Sequence, residues 1–576
     1  MGPAEPLTIR VPVGEGSRQW TSRTAQRRVL LVVHNVTSAG RLLDLVPLFH
    51  DDFRVQLLVT STGSSAFQGG IREIFAELQL PELSWEQALA TPVDLAVAAS
   101  FGGELAHIKG HLSIISHGVG YTKRLGRPGA GSREPTFGLS PEWLLSGGKP
   151  FVDGLVLSHP EQLERLSRVC APAVPSAVLG GDPCFDRMLA ARPYRARFRR
   201  ALGVRRGQRL VVLNSTWNPE GLFGSGGGRD VLPGLLPRLA AELPADDYRL
   251  AAVLHPNIWY GHGPGQIRAW LDRARRAGLT LVDPVHAWRQ ALLAADLVLG
   301  DFGAVSYYAA ALGTPVLLAA EGTDVLDPET PLAEFVRDAP RLDPLAPLRP
   351  QLERALGAHR PDPAPAGFVT SDPGRSAELL RRHFYALMGL PEPPGRASLE
   401  PLPLPPYSPR KLTAPLHVRT RVQGTDIVVE RSTEHPYGAG GDAHLAVHEE
   451  TRHPGDLDVA DVITREAEAD DPRLGGPGPW TAEVLREHPH CSTSVYTTGP
   501  DTCFVRSRGR GLFRLSADRD VETGADTDTD MDADPAAYAS ALHAWLAYGG
   551  AVPARGVTLR MHAAGGVRPF RVDTAG

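Results

Sequence analysis

A chain of 576 residues with 42% hydrophobic and 22% charged side chains has material for several cores and is too long for one compact domain. A formal charge of −5 excludes a whole-chain nucleic-acid footprint, and four cysteines exclude a disulfide scaffold. Glycine (60) and proline (52) are over-used, yet below the range in which a chain stays disordered.

Residues 1–26 read as an N-terminal tail without an export signal, and no apolar run approaches the ~20 residues that cross a bilayer. The expectation is a cytoplasmic protein. From residue 27, short β-branched runs at 27–36, 54–60, 94–100, 112–118 and 154–160 read as buried parallel strands, with helices at 39–49 and 71–78 among the segments between them. The Arg-rich piece 193–210 follows. All but four of the 60 basic residues are Arg, so this piece reads as a solvated connection rather than a nucleic-acid contact. A second series of strands lies at 209–216, 249–256, 279–284, 296–302 and 315–320. The predicted fold class is α/β, with two doubly wound Rossmann-like domains at 27–195 and 196–390. A Pro-rich linker spans 391–410. The remainder, 411–576, carries alternating runs at 416–432 and 502–516 and one helix at 534–548, and reads as an accessory α+β domain.

Ligands of open parallel sheets collect beyond the carboxyl ends of the strands. The first half places His34, Asn35, Ser100, Ser116, His117 and Gly118 there, and the second half places Asn214 to Trp217, His255, Asp301, Gly303 and Ala304 there. Two such sets predict a cleft between two sheets.

SHG at 116–118 with Lys123 and Arg124, GDPCFD at 181–186, NSTW at 214–217, HP at 255–256 and DFGAVSYYAAALGTPVLL at 301–318 occur in one order. That order resembles the CDP-glycerol glycerophosphotransferase family, the teichoic-acid primases and polymerases of GT-B fold, over residues 27–390. The segment 372–384 resembles that family's closing helix. The resemblance implies transfer of a glycerol-phosphate or related group from a CDP- or UDP-linked donor, such as CDP-glycerol, to an acceptor hydroxyl of a cell-envelope polymer. It implies neither cofactor nor metal. It gives His117 the role of general base, which suits an imidazole of ordinary pKa near 6.5. His255 would hold the donor pyrophosphate. The donor phosphates would be gripped by a strand-to-helix turn made of Asp301, Gly303, Ala304 and Ser306, with Ser215, Thr216 and Arg229 of the glycine-rich loop beside it. His34, Asn35, Gly118, Lys123 and Arg124 would line the acceptor side of the cleft.

The chain departs from the family where Gly303 and Ala304 replace a serine pair, Tyr308 an acid, and Asn218 an arginine. Three readings stay open: the glycerophosphotransferase, a nucleotide-sugar glycosyltransferase or epimerase on the same fold, and a catalytically degenerate GT-B-like binding or scaffold protein. A lipid-linked acceptor, with peripheral contact at the inner face of the membrane, also stays open. The aspartates alternating from Asp526 to Asp534 lack the glycine and glutamate of a calcium loop, and His488, His490, Cys491 and Cys503 lack a zinc spacing.

Overall fold

The computed structural model describes residues 8–124, 136–226, 230–320, 322–407, 412–434, 442–466, 475–518, 534–563 and 566–575. The first sheet has seven strands: β1 (Arg27–Val33), β2 (Val55–Ser61), β3 (Glu82–Leu83), β4 (Leu95–Ala98), β5 (His111–Ile114), β6 (Gly154–Leu157) and β7 (Ala177–Leu179). Their order is β3-β2-β1-β4-β5-β6-β7, and every pairing is parallel. β1 lies inside the sheet, and both its faces are apolar. Val29, Leu31 and Val33 pack into one core layer, Leu30 and Val32 into the other. The two outermost strands are too short to form an apolar run, so sequence reading missed them. The helix expected at 39–49 starts earlier, at Val36–Leu43, because Asn35 and Ser38 form a capping box. It continues only as a separate 3₁₀ turn, Val46–Phe49, containing Pro47.

The second sheet holds β8 (Arg209–Ser215), β9 (Tyr248–Leu254), β10 (Thr280–Leu281), β11 (Leu297–Gly300) and β12 (Val316–Leu318), ordered β10-β9-β8-β11-β12 and again all parallel. The two sheets form the GT-B-like α/β arrangement, with a cleft whose wall carries residues that follow strands of both. The chain then returns. Helix Ser376–Leu387 follows the second sheet in sequence but buries Leu380, Phe384 and Tyr385 in the core of the first, where Phe49 stacks on both rings. Asp186 of the GDPCFD segment receives the N–H groups of Gly374 and Ser376 and so pins the returning segment.

In that helix His383 meets the Ser113 hydroxyl at 3.2 Å, and burial pushes its pKa down to about 4. The unfolded chain therefore takes up a proton near pH 6.5 that the folded chain refuses, so the stabilisation is present above pH 6.5 and is lost as pH falls toward 4. The advantage of the wild type over His383→Gln in urea unfolding is expected to shrink by about 1.4 kcal/mol per pH unit across that window. A pH-independent difference would contradict this assignment.

Beyond the linker the chain closes a barrel of nine strands: β13 (Leu416–Gln423), β14 (Asp426–Ser432), β15 (Asp442–His448), β16 (Val462–Glu466), β17 (Thr493–Gly499), β18 (Thr502–Ser507), β19 (Gly511–Ala517), β20 (Val557–Ala563) and β21 (Gly566–Ala575). Helix Pro535–Ala547 is apolar all round and is buried among the barrel side chains, with Tyr538 stacked on Phe570 at 4.6 Å. The barrel is bolted to the second half by buried charges. Arg431 donates to Asp246 at 2.9 and 2.6 Å and also binds Asp534, which accepts from Arg205 at 2.9 Å. Among the described residues no helix is long and apolar enough to cross a membrane.

Candidate active site

The cleft between the sheets encloses about 330 Å³. From the first half it is lined by Asn35, Arg41, His117, Gly118 and Lys123, and from the second by Ser215, Thr216, His255, Gly303 and Ala304. His117 stands just past β5, and its Nδ1 meets the Ala99 carbonyl at 3.1 Å. A carbonyl only accepts, so Nδ1 carries the proton and the lone pair of the neutral ring is on Nε2. Burial, then the charges of Arg41 and Lys123, push the His117 pKa down to about 4.

His255 has the opposite tautomer. Its Nδ1 accepts the Asn257 N–H at 3.1 Å as the N-cap of helix Pro256–His262, which leaves the ring proton on Nε2. Burial, with Lys123 and His117 nearby, pushes its pKa down to about 3. The two halves thus contribute one neutral acceptor and one neutral donor to the same cleft.

Gly303 caps helix Ala304–Ala311, and the N–H groups of Ala304 and Val305 find no acceptor among the described residues. They remain available to an anion. Gly118 lies directly opposite, since a Cβ on it would be 3.8 Å from that of Ala304. Lys123 reaches across the cleft to Asn218 Oδ1 at 3.0 Å and Thr216 Oγ1 at 3.4 Å, with the Trp217 ring 5.5 Å from its ammonium. Burial pulls its pKa down to about 8, against the opposing pull of Asp301. Phe67 of the first half meets Trp217 edge-on at 5.3 Å.

Four residues expected in the cleft lie elsewhere. Asp301 is fully buried and its carboxylate is consumed: Oδ2 accepts from Thr216 N, Leu222 N and the Ser215 hydroxyl, and Oδ1 from Gly303 N. It organises the turn at Gly303 from below. Ser306 is buried too, accepting from Asn214 Nδ2 at 3.0 Å, because it falls on the sheet-facing side of its helix. His34 donates from Nε2 to the Gly102 carbonyl beneath the cleft wall, and Arg124 turns to Asp327 at 3.9 Å. Asn35 borders the cleft, but its side chain is committed to the capping box. Arg229 and the aspartates at 526, 528, 530 and 532 lie outside the described residues. Leu222 and Phe223 of the glycine-rich loop are pinned through their N–H groups to Asp301 and Ser215. Cys491 and Cys503 belong to different cores, and no group of three metal-ligating side chains occurs among the described residues.

Sequence reading missed the cleft floor. There Arg41, Asp44, Asp182, Arg289 and Tyr308 form a buried network across the two halves, with Arg289 donating to Asp44 at 2.7 Å and Tyr308 to Asp182 at 2.5 Å. A strap of main chain also joins the halves, with Arg124 N donating to the Val325 carbonyl and Asp327 N to that of Thr122, each at 2.9 Å.

Two parallel Rossmann-like sheets with a cleft between them make the fold GT-B-like. No protein-family model matches the chain, and no curated protein does. Among solved structures, a histidine-to-alanine variant of the wall teichoic acid polymerase TagF is similar at 12% identity over 64% of this chain and 90% of that one, with a TM-score of 0.44. The UDP-GlcNAc 2-epimerase of Methanocaldococcus jannaschii, in complex with UDP-GlcNAc and UDP, is similar at 12% identity over 62% of this chain and 99% of that one, TM-score 0.41. MnaA of S. aureus, with UDP, is similar at 10% identity over 65% and 100%, TM-score 0.39. At these values the likeness carries no argument about what this chain does.

Proposed function

We propose that the chain is a GT-B-type transferase that moves a glycerol-phosphate or related group from a nucleotide-activated donor, such as CDP-glycerol, to an acceptor hydroxyl. The observation that supports this most is the pair of opposite tautomers in one cleft. His117 Nε2 takes the acceptor hydroxyl's proton as its oxygen attacks the phosphorus of the glycerol-phosphate group. The bond from that phosphorus to the bridging oxygen breaks, and the nucleoside monophosphate leaves with the electron pair. His255 Nε2–H donates to the departing oxygens, while the N–H groups of Ala304 and Val305 and the Lys123 ammonium meet the accumulating negative charge. The low pKa of His117 keeps it unprotonated at neutral pH and ready to accept.

A nucleotide-sugar transferase would use the same base and phosphate grip with carbon in place of phosphorus as the electrophile. Calorimetric titration of the full chain with CDP-glycerol, CDP, UDP and UDP-GlcNAc is the test. Heat with a nucleoside diphosphate compound, lost in His255→Ala, is the expected result. No response to any of the four would leave the scaffold reading, which Asn218 and the side-chain-bound Lys123 favour.

A further inference from the structure

Arg41 belongs to helix Val36–Leu43, borders the cleft floor and is 9% exposed. Its guanidinium divides between the two halves. Nε donates to the His117 carbonyl at 3.2 Å, and Nη2 donates to the Tyr308 hydroxyl at 3.1 Å. That hydroxyl donates onward to Asp182, whose carboxylate also lies 4.0 Å from Arg41 Nη1. Tyr308 sits on helix Ala304–Ala311, the helix whose first turn faces the cleft. One planar side chain therefore grips the loop that carries His117 and the helix that carries the phosphate turn.

We propose that Arg41 is a positioning residue that registers the base-bearing loop of one half against the phosphate-holding helix of the other, with Tyr308 as its far anchor. This rests on the reading of His117 as the base. The arrangement needs a rigid fork of donors, which an ammonium does not have. Tyr308 then has a role of its own at a position where the resembled family has an acid: its neutral hydroxyl both accepts from Arg41 and donates to Asp182, which a carboxylate cannot do. The other titratable or charged groups that face His117 are Lys123, His34 and His255. None of the three is bonded to Arg41.

Two readouts on the full chain test this without any turnover, so a failure of the transfer reading leaves them intact. The first is the titration midpoint of His117 by NMR with histidine-selective labelling, its resonance assigned from His117→Ala. Arg41→Met is expected to raise that midpoint by about one pH unit, because the lost charge opposed the imidazolium, and Arg41→Lys to leave it near the wild type. The second is amide exchange over residues 117–119. Arg41→Lys and Tyr308→Phe are each expected to speed it on the order of tenfold, the cost of one lost hydrogen bond to a charged group. An unmoved midpoint in folded Arg41→Met overturns the proposal. If that variant does not fold, wild-type exchange rates in Arg41→Lys overturn it instead. Wild-type rates in Tyr308→Phe alone remove Tyr308 as the anchor.

Discussion

Replacing His117 with alanine is expected to lower turnover by about 100- to 10,000-fold while the melting temperature stays within a few degrees and nucleotide affinity is unchanged. The size follows from what the ring does in this cleft. Its Nδ1–H is fixed on the Ala99 carbonyl, so a single tautomer offers Nε2 to an incoming hydroxyl. Water in the cavity left by the truncation cannot be oriented in that way. The affinity is expected to hold because the proposed phosphate contacts, from His255, the turn at Gly303 and Lys123, do not use the His117 ring. A variant with full activity would remove His117 from the mechanism. Rates should also stay flat on the acid side until pH approaches 4, since that is where the folded-state imidazole takes a proton and ceases to be a base.

Asp301→Ala should be the most damaging single change in the second half, costing about 3 kcal/mol or more in chemical unfolding. The aspartate stitches three segments together: the end of β8 at Thr216, the glycine-rich loop at Leu222, and the turn at Gly303. Truncation strands three buried N–H donors, each carrying a desolvation penalty of about 1–3 kcal/mol. Burial raises the pKa of this carboxyl, and the backbone donors of Leu222, Thr216 and Gly303 pull it back. Asp301→Asn should therefore recover part of the loss by keeping one acceptor oxygen. Wild-type stability in Asp301→Ala, measured by urea unfolding, would show that the turn is held by other means.

The sheets were legible because parallel strands buried on both faces leave unbroken apolar runs, as at Val29–Val33 and Val211–Leu213. The histidines were legible because a polar residue ending such a run stands at the mouth of the sheet. What a one-dimensional reading lacks is direction. Asp301 and His255 both end strands, yet one points beneath the turn and the other caps the helix Pro256–His262 at the cleft wall. Ser306 fell to the same ambiguity, turned toward Asn214 by its place on the helix. Arg41 was hidden differently. In a chain whose cations are almost all arginine, one more arginine beside the apolar residues Ala39 and Leu42 gives no signal. Its significance appears only when residue 308, some 270 positions later, comes within 3.1 Å. In residues 411–576 the alternating runs and the helix are legible, but nothing local says that the helix Pro535–Ala547 is wrapped by the strands.

The bolting of the barrel through Arg431 has a mechanical consequence. Its described polar contacts with the rest of the chain, at Arg205, Asp246, Arg273 and Arg349 among others, fall on the second half. Meanwhile helix Ser376–Leu387 rides with the first half, and the linker between helix and barrel is tethered at Glu400 by Arg187 and at Pro403 by Gln290. Any rotation that parts the cleft must therefore swing the barrel along with the second sheet, as an outrigger swings with its hull. A hinge angle of a few degrees becomes a displacement of ångströms at the barrel's outer rim, and a load or a surface that holds the barrel still would brake the cleft from a distance.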